Sequence, residues 1–304
     1  MIVVTGGAGV VGSRLVRKFL DRGLKVRVVT LAGDPGVERN LGEIDCEVFY
    51  GDVADAESLE GAFDGATTVF HLAAVIIPPD DDALERVNIK GTENVYEGAK
   101  AAGVKHFIYF SSISTTYPKL TEYARSKIAG EEMLKKQDAM EWTVIRPSLV
   151  YDEAGGMEFN LFKDFVMNNK ILPMVGTWSA LKNPVHTDDI VDACAKIPEN
   201  PVTHGKAYNL CGSEELSLKE IAEVIVEHAE EKRCYIPIPT FCYRFAAAIM
   251  GKLMKNPPFT WQGVAGLSQD ATPDYSRAIL DLDYKPIGFR EGWAKCAEII
   301  KSKA

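Results

Sequence analysis

The segment YARSK sets Tyr123 and Lys127 four residues apart, so on a helix both side chains share one face. A phenol beside an ammonium is a pair built for moving a proton. A free tyrosine near pKa 10 must fall by about three units, roughly 4 kcal/mol, to act as a base at neutral pH. One ammonium in a dry cleft supplies energy of that order. The spacing also arises by chance on solvated helices, so its neighbours decide. FSSIS places Ser111 and Ser112 at the end of an apolar run just upstream. The carboxyl ends of strands are where doubly wound sheets hold functional groups. A hydroxyl there can bond the substrate oxygen that Tyr123 protonates or deprotonates, and a serine pair, Ser111 especially, equally suits a cap.

TGGAGVVGSRL is a second chemical signal, with Gly6, Gly9 and Gly12 between the first strand and the first helix. Glycine suits a tight turn that a pyrophosphate must approach and a helix must pack against. The N–H groups that open the helix, at Val10, Val11 and Gly12, then bind phosphate. The expected ligand is NAD or NADP, whose oxidised nicotinamide adds a positive charge beside Tyr123. Thr30 ends the second strand, where a carboxylate would select NAD and an arginine NADP, and it decides neither. Asp52, in GDV with Val53, is placed for an adenine edge and equally for capping the next helix.

The elements that position these residues alternate. Strands are expected at Ile2–Thr5, Val26–Val29, Glu47–Asp52, Thr68–Ala73, His106–Ser112 and Trp142–Ser148, and helices at Gly12–Arg22, Ala56–Phe63, Leu84–Ala102 and Tyr123–Gln137. Apolar strands separated by helices indicate an α/β fold, a doubly wound parallel sheet of Rossmann type. After Tyr151 the regularity weakens, with Pro184–Cys194 and Lys206–Gly212 still Rossmann-like. Helices are expected at Ser217–Ala229, Phe241–Leu253 and Glu291–Ser302, with a proline-rich IPIPTF segment between the first two. The expected division is residues 1–150 plus about 182–212 for the dinucleotide and about 151–181 plus 213–304 for the substrate, the chain crossing back once.

A formal charge of −9 repels a nucleic-acid backbone, which argues against nucleic acid as partner. Within the apolar stretch Phe241–Met254 the longest candidate span, around Phe245 to Met254, is broken by Lys252, so no transmembrane segment is expected. That stretch suits a substrate pocket, a membrane surface or plain helix core. Six cysteines without CxxC spacing point to reduced thiols in a cytoplasmic protein and to no metal.

TGGAGVVG, GDVAD, HLAA, VNIKGT, FSSIS, YARSK, RPSLVY and PVHTDDIVDA, in this order, resemble the extended and atypical short-chain dehydrogenase/reductase superfamily, within it the NAD-dependent epimerase/dehydratase family. The resemblance spans Ile2 to about Gly212. It implies Tyr123 as general acid/base, Lys127 as its tuner and ribose ligand, and Ser112 as substrate positioner. It further implies that Leu72, Ala73 and Ala74 line the dinucleotide groove, that Asn88 supports the cofactor side and that Pro147 lies beside the nicotinamide. His71, in an apolar strand, reads as a packed core histidine.

The chain departs from the sugar-nucleotide epimerases of that superfamily at Ser148, in place of a substrate-binding Asn, and at Lys182, in place of an Arg on the substrate diphosphate. Both are expected to contact substrate, Lys182 as a point charge rather than a fork. Asp152 brings a carboxylate to the substrate mouth and otherwise reads as a surface turn residue. Two activities are implied: epimerase/dehydratase-like hydride transfer on a nucleotide sugar, or carbonyl reduction and alcohol oxidation of the dihydroflavonol-reductase or 3β-hydroxysteroid-dehydrogenase type. A homodimer is the assembly the resemblance suggests.

Overall fold

The structure, a computed structural model, describes residues 1–42, 44–175, 178–228, 232–238 and 268–303. Its strands are β1 (Ile2–Thr5), β2 (Val26–Thr30), β3 (Glu47–Tyr50), β4 (Thr68–His71), β5 (His106–Phe110), β6 (Glu141–Pro147), β7 (Val150–Tyr151), β8 (Ile171–Val175), β9 (Leu181–Lys182), β10 (Val185–His186), β11 (Lys206–Leu210), β12 (Leu216–Ser217) and β13 (Cys234–Ile238). The α-helices are α1 (Val10–Asp21), α2 (Gly91–Ala101), α3 (Glu122–Lys135), α4 (Met157–Asn168), α5 (Thr187–Cys194), α6 (Leu218–Glu227), α7 (Ser276–Leu282) and α8 (Phe289–Lys303).

Seven strands form one sheet in the order β11-β6-β5-β4-β1-β2-β3, and every pairing in it is parallel. β1, β4 and β5 are buried along their whole length, as their unbroken apolar runs require of a sheet covered on both faces. One core, with Leu15, Val16 and Phe19 of α1 and Ile190 and Cys194 of α5, fills one face. Another, with Val95, Tyr96 and Ala99 of α2 and Leu134 of α3, fills the opposite face. The strand order reverses between β1 and β4, so the crevice for a ligand opens beyond their carboxyl ends.

A third core gathers Tyr151, Phe159 and Phe162 with Ile221, Ile225, Phe289 and Trp293, and gives the substrate side its own apolar interior. The expected single crossing is too simple. Ala278 and Leu282 of α7, with Tyr284, pack into the first core, Tyr284 donates to the Cys211 carbonyl at 2.9 Å and Tyr208 donates to Asp281 at 2.7 Å. The chain therefore returns to the large sheet a second time before α8 rejoins the third core.

Three local expectations need correction. The helix expected over Ala56–Phe63 is a single tight turn, Glu57–Leu59. Side chains take the backbone groups a helix would use: Asp52 accepts from Ala54 N, Asp55 from Glu57 N, and Ser58 Oγ donates to the Asp55 carbonyl. Leu84–Lys90 is a wide, π-helical lead-in to α2. The first three residues of the proline-rich segment, Ile236 to Ile238, fall in β13, paired in parallel with β8 in a two-stranded sheet that tolerates Pro237, and the rest lies outside the described residues. The apolar stretch Phe241–Met254 lies outside the described residues.

Candidate active site

The turn after β1 is built for close approach. Gly6 has φ +68°, and a Cβ there would stand 2.8 Å from Ala73 N, where β4 ends. A Cβ at Gly12 would strike the Gly6 carbonyl. Helix α1 then opens on Gly9 with no side-chain cap and no acidic residue in its first turn. The N–H groups of Val10, Val11 and Gly12 are left to a diphosphate, so the donor set fits a dinucleotide.

The carboxylate missing at the end of β2 is supplied four residues later. Buried Thr30 donates to Asp34 Oδ2 at 2.6 Å, and Asp34 Oδ1 accepts from Gly36 N at 2.8 Å. Asn40 Nδ2 bonds the Ala8 carbonyl at 2.7 Å and ties this loop to the glycine turn. Sequence reading passed over Asp34, whose signal is the turn-forming GDPG downstream of the strand. Asp52 is exposed and forms an Asx turn with Ala54, while Val53 is buried in the core against Gly91.

On α3, Lys127 is 2% exposed; its Nζ donates to the Phe110 carbonyl at 2.8 Å and lies 4.9 Å from the centre of the Tyr109 ring. Burial draws its pKa down to about 7, opposed by Glu131. Tyr123 stands one turn earlier, half-buried in the cleft. The phenol is not lowered as the spacing suggests. Burial raises it and the Glu158 carboxylate adds to that, while the Ser112 hydroxyl pulls the other way. The serine roles divide unexpectedly. Ser112, not Ser111, caps the turn Ile113–Thr116, accepting from Ser114 N at 3.2 Å. Ser111 is buried and donates to Glu131 Oε1 at 2.6 Å.

Asn88 is wholly buried: Oδ1 accepts from Val75 N, and Nδ2 donates to the Val75 carbonyl and to Ser126 Oγ. Ser126 in turn donates to the Tyr123 carbonyl. Asn88 thus fixes the chain that follows Leu72, Ala73 and Ala74, at Val75, to α3. His71 serves the same frame. Thr5 Oγ1, which accepts from Ala73 N, donates to His71 Nδ1 at 2.7 Å, and His71 Nε2–H donates to Thr92 Oγ1, which donates to the Asn88 carbonyl. It is the packed histidine the sequence suggested.

Burial first, and Lys127 second, lower His71 to about 3 from an ordinary 6.5. Below about pH 6.5 the unfolded chain takes up this proton while the folded chain stays neutral, so stability falls as pH falls. The loss from pH 7.5 to 5 is about 2 kcal/mol by linkage. Burial also lowers His106, to about 4, and this acts in the same direction. Urea unfolding at both pH values checks this. In a folded His71→Gln chain the slope should shrink by about that amount, and an unchanged slope would refute the assignment.

On the substrate side, Pro147 ends β6 opposite Leu210. The Ser148 hydroxyl donates to the Asn183 carbonyl and so holds the chain just after the strand that carries Lys182. Lys182 Nζ donates to the Gln269 carbonyl at 2.6 Å and lies 5.0 Å from the centre of the Tyr117 ring. Burial brings it down to about 8, with Glu158 and Asp270 opposing. Glu158, exposed in the first turn of α4, bears electrostatically on Tyr123, Tyr117 and Lys182 alike. The sequence held no pattern that singled it out. Asp152 is no surface turn: it is 1% exposed, accepts from Arg14 Nε at 2.9 Å and caps Gly155 N, so it locks α1 to the start of the substrate side.

Glu153, His186 and Cys296 bring potential ligand atoms within 4.8 Å of one another. Their existing bonds explain the cluster. Arg14 pairs with Glu153 at 2.6 Å, and His186 Nδ1 accepts from Asp188 N, which leaves the Nε2 proton for Cys296 Sγ at 3.5 Å.

A doubly wound sheet, an uncapped glycine-rich helix start and a buried lysine one turn from a tyrosine define an NAD(P)-dependent enzyme. The chain belongs to the NAD dependent epimerase/dehydratase family, whose sequence pattern matches residues 2–211. It is similar to the 3 beta-hydroxysteroid dehydrogenase/Delta 5-->4-isomerase of Mycobacterium tuberculosis, 30% identical over 257 residues that cover 74% of this chain and 68% of that one. It is also similar to the UDP-glucose 4-epimerase of Vibrio cholerae, 25% identical over 276 residues, 83% of this chain and 82% of that one. A solved epimerase structure from Methanothermobacter thermautotrophicus superposes with a TM-score of 0.81 at 25% identity, over 99% of this chain and 92% of that one.

Proposed function

We propose that the chain transfers a hydride at a carbinol or carbonyl carbon, with Tyr123 as general acid/base, Ser112 holding the substrate oxygen and Lys127 tuning the phenol and binding the nicotinamide ribose. The observation that carries this is Lys127, sunk against the Phe110 carbonyl with Tyr123 one turn away on the same helix. Gly6, Gly9 and Gly12 cradle the diphosphate, and Leu72, Ala73, Ala74 and Pro147 border the rest of the groove. When bound, the dinucleotide accepts or supplies the hydride. Tyr123 takes the hydroxyl proton on oxidation and returns it on reduction.

Two substrate classes fit that chemistry. One is a nucleotide-linked sugar, epimerised or dehydrated with the dinucleotide regenerated. The other is an alcohol or ketone without a diphosphate, with net turnover of the dinucleotide. The electrostatics favour the second. Lys182, the cation placed for a substrate diphosphate, is committed to the Gln269 carbonyl and faces the Glu158 carboxylate, which would repel a phosphate. Stoichiometry tests this: the oxidoreductase consumes one dinucleotide per product, and an epimerase needs only a catalytic amount.

Asp34 leads us to assign NAD rather than NADP. Its carboxylate accepts from a ribose 2′-hydroxyl and repels a 2′-phosphate. NADH is expected to bind at least about tenfold tighter than NADPH, about 1.4 kcal/mol, and Asp34→Asn should close most of that gap in a fluorescence titration. Equal affinities in the wild-type chain would remove the assignment. The assembly is proposed to be a homodimer in the cytoplasm. The five described cysteines are all free thiols, and no described helix is long and apolar enough to cross a membrane. Light scattering tests the dimer.

A further inference from the structure

Besides Lys127, which bonds the Phe110 carbonyl, a second side chain ties α3 to the sheet. Glu131 is one turn beyond Lys127 on α3 and 3% exposed. It accepts from Ser111 Oγ at 2.6 Å, at the end of β5, and from Arg146 Nε at 2.8 Å, on β6, with Arg146 Nη2 on its second oxygen. A bidentate guanidinium and a hydroxyl are more than a buried carboxylate needs for packing alone. They fix Glu131 as an anion: burial would raise its pKa, and the bonds from Arg146 and Ser111 more than offset this.

We propose that Glu131 is the positioning residue of the site, its carboxylate clamped between Ser111 and Arg146 so as to keep Lys127 protonated and in line with Tyr123. The significance of Lys127 rests on the function proposed above.

The groups around Lys127 leave this task to Glu131. On β5, the Tyr109 ring and the Phe110 carbonyl face the ammonium but carry no full charge. On β4, His71 is neutral, and its own depressed pKa is partly the work of Lys127. Tyr123, on α3, is neutral until it reacts. Of the nearby cations, Arg146 on β6 is paired with Glu131, and Lys135 approaches it at 4.0 Å from the solvent side. Burial alone would strip the lysine of its proton near neutral pH, and Glu131 is the charge that opposes it. A neutral amine at 127 would neither stabilise a phenolate nor keep its strong bond to the Phe110 carbonyl.

The test reads the proton on Lys127 directly, by nitrogen-15 NMR titration of its side chain in the cofactor-free protein. Glu131→Gln keeps the size and one acceptor but removes the charge, and its Lys127 midpoint is expected about one pH unit or more below wild type. Ser111→Ala removes one strut and keeps the charge, so its midpoint should stay within about 0.3 unit. A structural role alone would disturb both variants alike. If Glu131→Gln does not fold, the double variant Glu131→Gln, Arg146→Met is read against Arg146→Met alone, from which it differs only in the Glu131 charge, and its midpoint is expected about one pH unit or more lower. A wild-type midpoint in the folded single variant, or equal midpoints in that pair, overturns the proposal. Because turnover is not measured, that result leaves the hydride-transfer reading standing, just as loss of that reading would leave this titration intact.

Discussion

Tyr123→Phe is expected to lower turnover by about 10³-fold while NADH affinity stays within about twofold of wild type. General acid/base groups contribute about 10² to 10⁴, and the phenol oxygen makes none of the contacts that shape the dinucleotide cradle. The substitution removes one oxygen from a half-buried ring and leaves in place the Ser126 bond to the Tyr123 carbonyl and the Asn88 bond to Ser126. Folding should be unaffected. Steady-state kinetics over a set of alcohols and ketones, with a parallel fluorescence titration of NADH, checks both halves. Unchanged turnover would remove Tyr123 from the chemistry, and a large loss of NADH affinity would make it a cofactor ligand first.

Gly12→Ala is expected to weaken dinucleotide binding by at least about 100-fold, about 2.7 kcal/mol. The added methyl meets the Gly6 carbonyl and lies 2.8 Å from the Gly7 Cα, both backbone atoms that cannot swing aside as a side chain would. To relieve the overlap, α1 must draw away from the turn, and the N–H groups of its first turn then no longer point at one diphosphate position. Overpacking of this kind costs about 1–3 kcal/mol of stability, so the protein should still fold with a lowered Tm. Titration with NADH and thermal unfolding separate the two effects. Wild-type affinity in this variant would mean that the turn is not the phosphate site.

Much of the sheet was legible because its signals are local. Unbroken apolar runs at β1, β4 and β5 leave no alternative to burial on both faces, and the glycine array marks the joint between β1 and α1 in the sequence itself. The helical pairing of Tyr123 and Lys127 was legible for the same reason, since four residues on a helix fix a shared face. What the sequence did not show depends on partners far along the chain. Asp152 reads as a turn residue until Arg14, 138 positions away, is seen to reach it. The hydroxyl of Ser148 is engaged by a carbonyl 35 residues distant. Asp34 was missed because the Rossmann pattern looks for a carboxylate on the strand, and here a buried threonine holds one from the following loop. The tight turn at Glu57–Leu59 defeated a helix pattern because three short polar side chains satisfy the backbone locally.

The phenol of Tyr123 carries a similar lesson in electrostatics. Spacing alone suggests that Lys127 lowers it, yet burial and Glu158 raise it in the protein by itself. The positive charge of an oxidised nicotinamide is what would bring it within reach of neutral pH.

The most direct measurement is a crystal structure of the NADH complex. The diphosphate should lie on the N–H groups of Val10 and Val11, with Lys127 Nζ on the nicotinamide ribose. C4 of the ring should face the Tyr123 oxygen across a gap that admits one carbonyl group, with reacting atoms about 3 to 3.5 Å apart. A nicotinamide bound elsewhere, with Tyr123 facing only solvent, would contradict the hydride-transfer assignment and leave a protein that holds a dinucleotide without using this site.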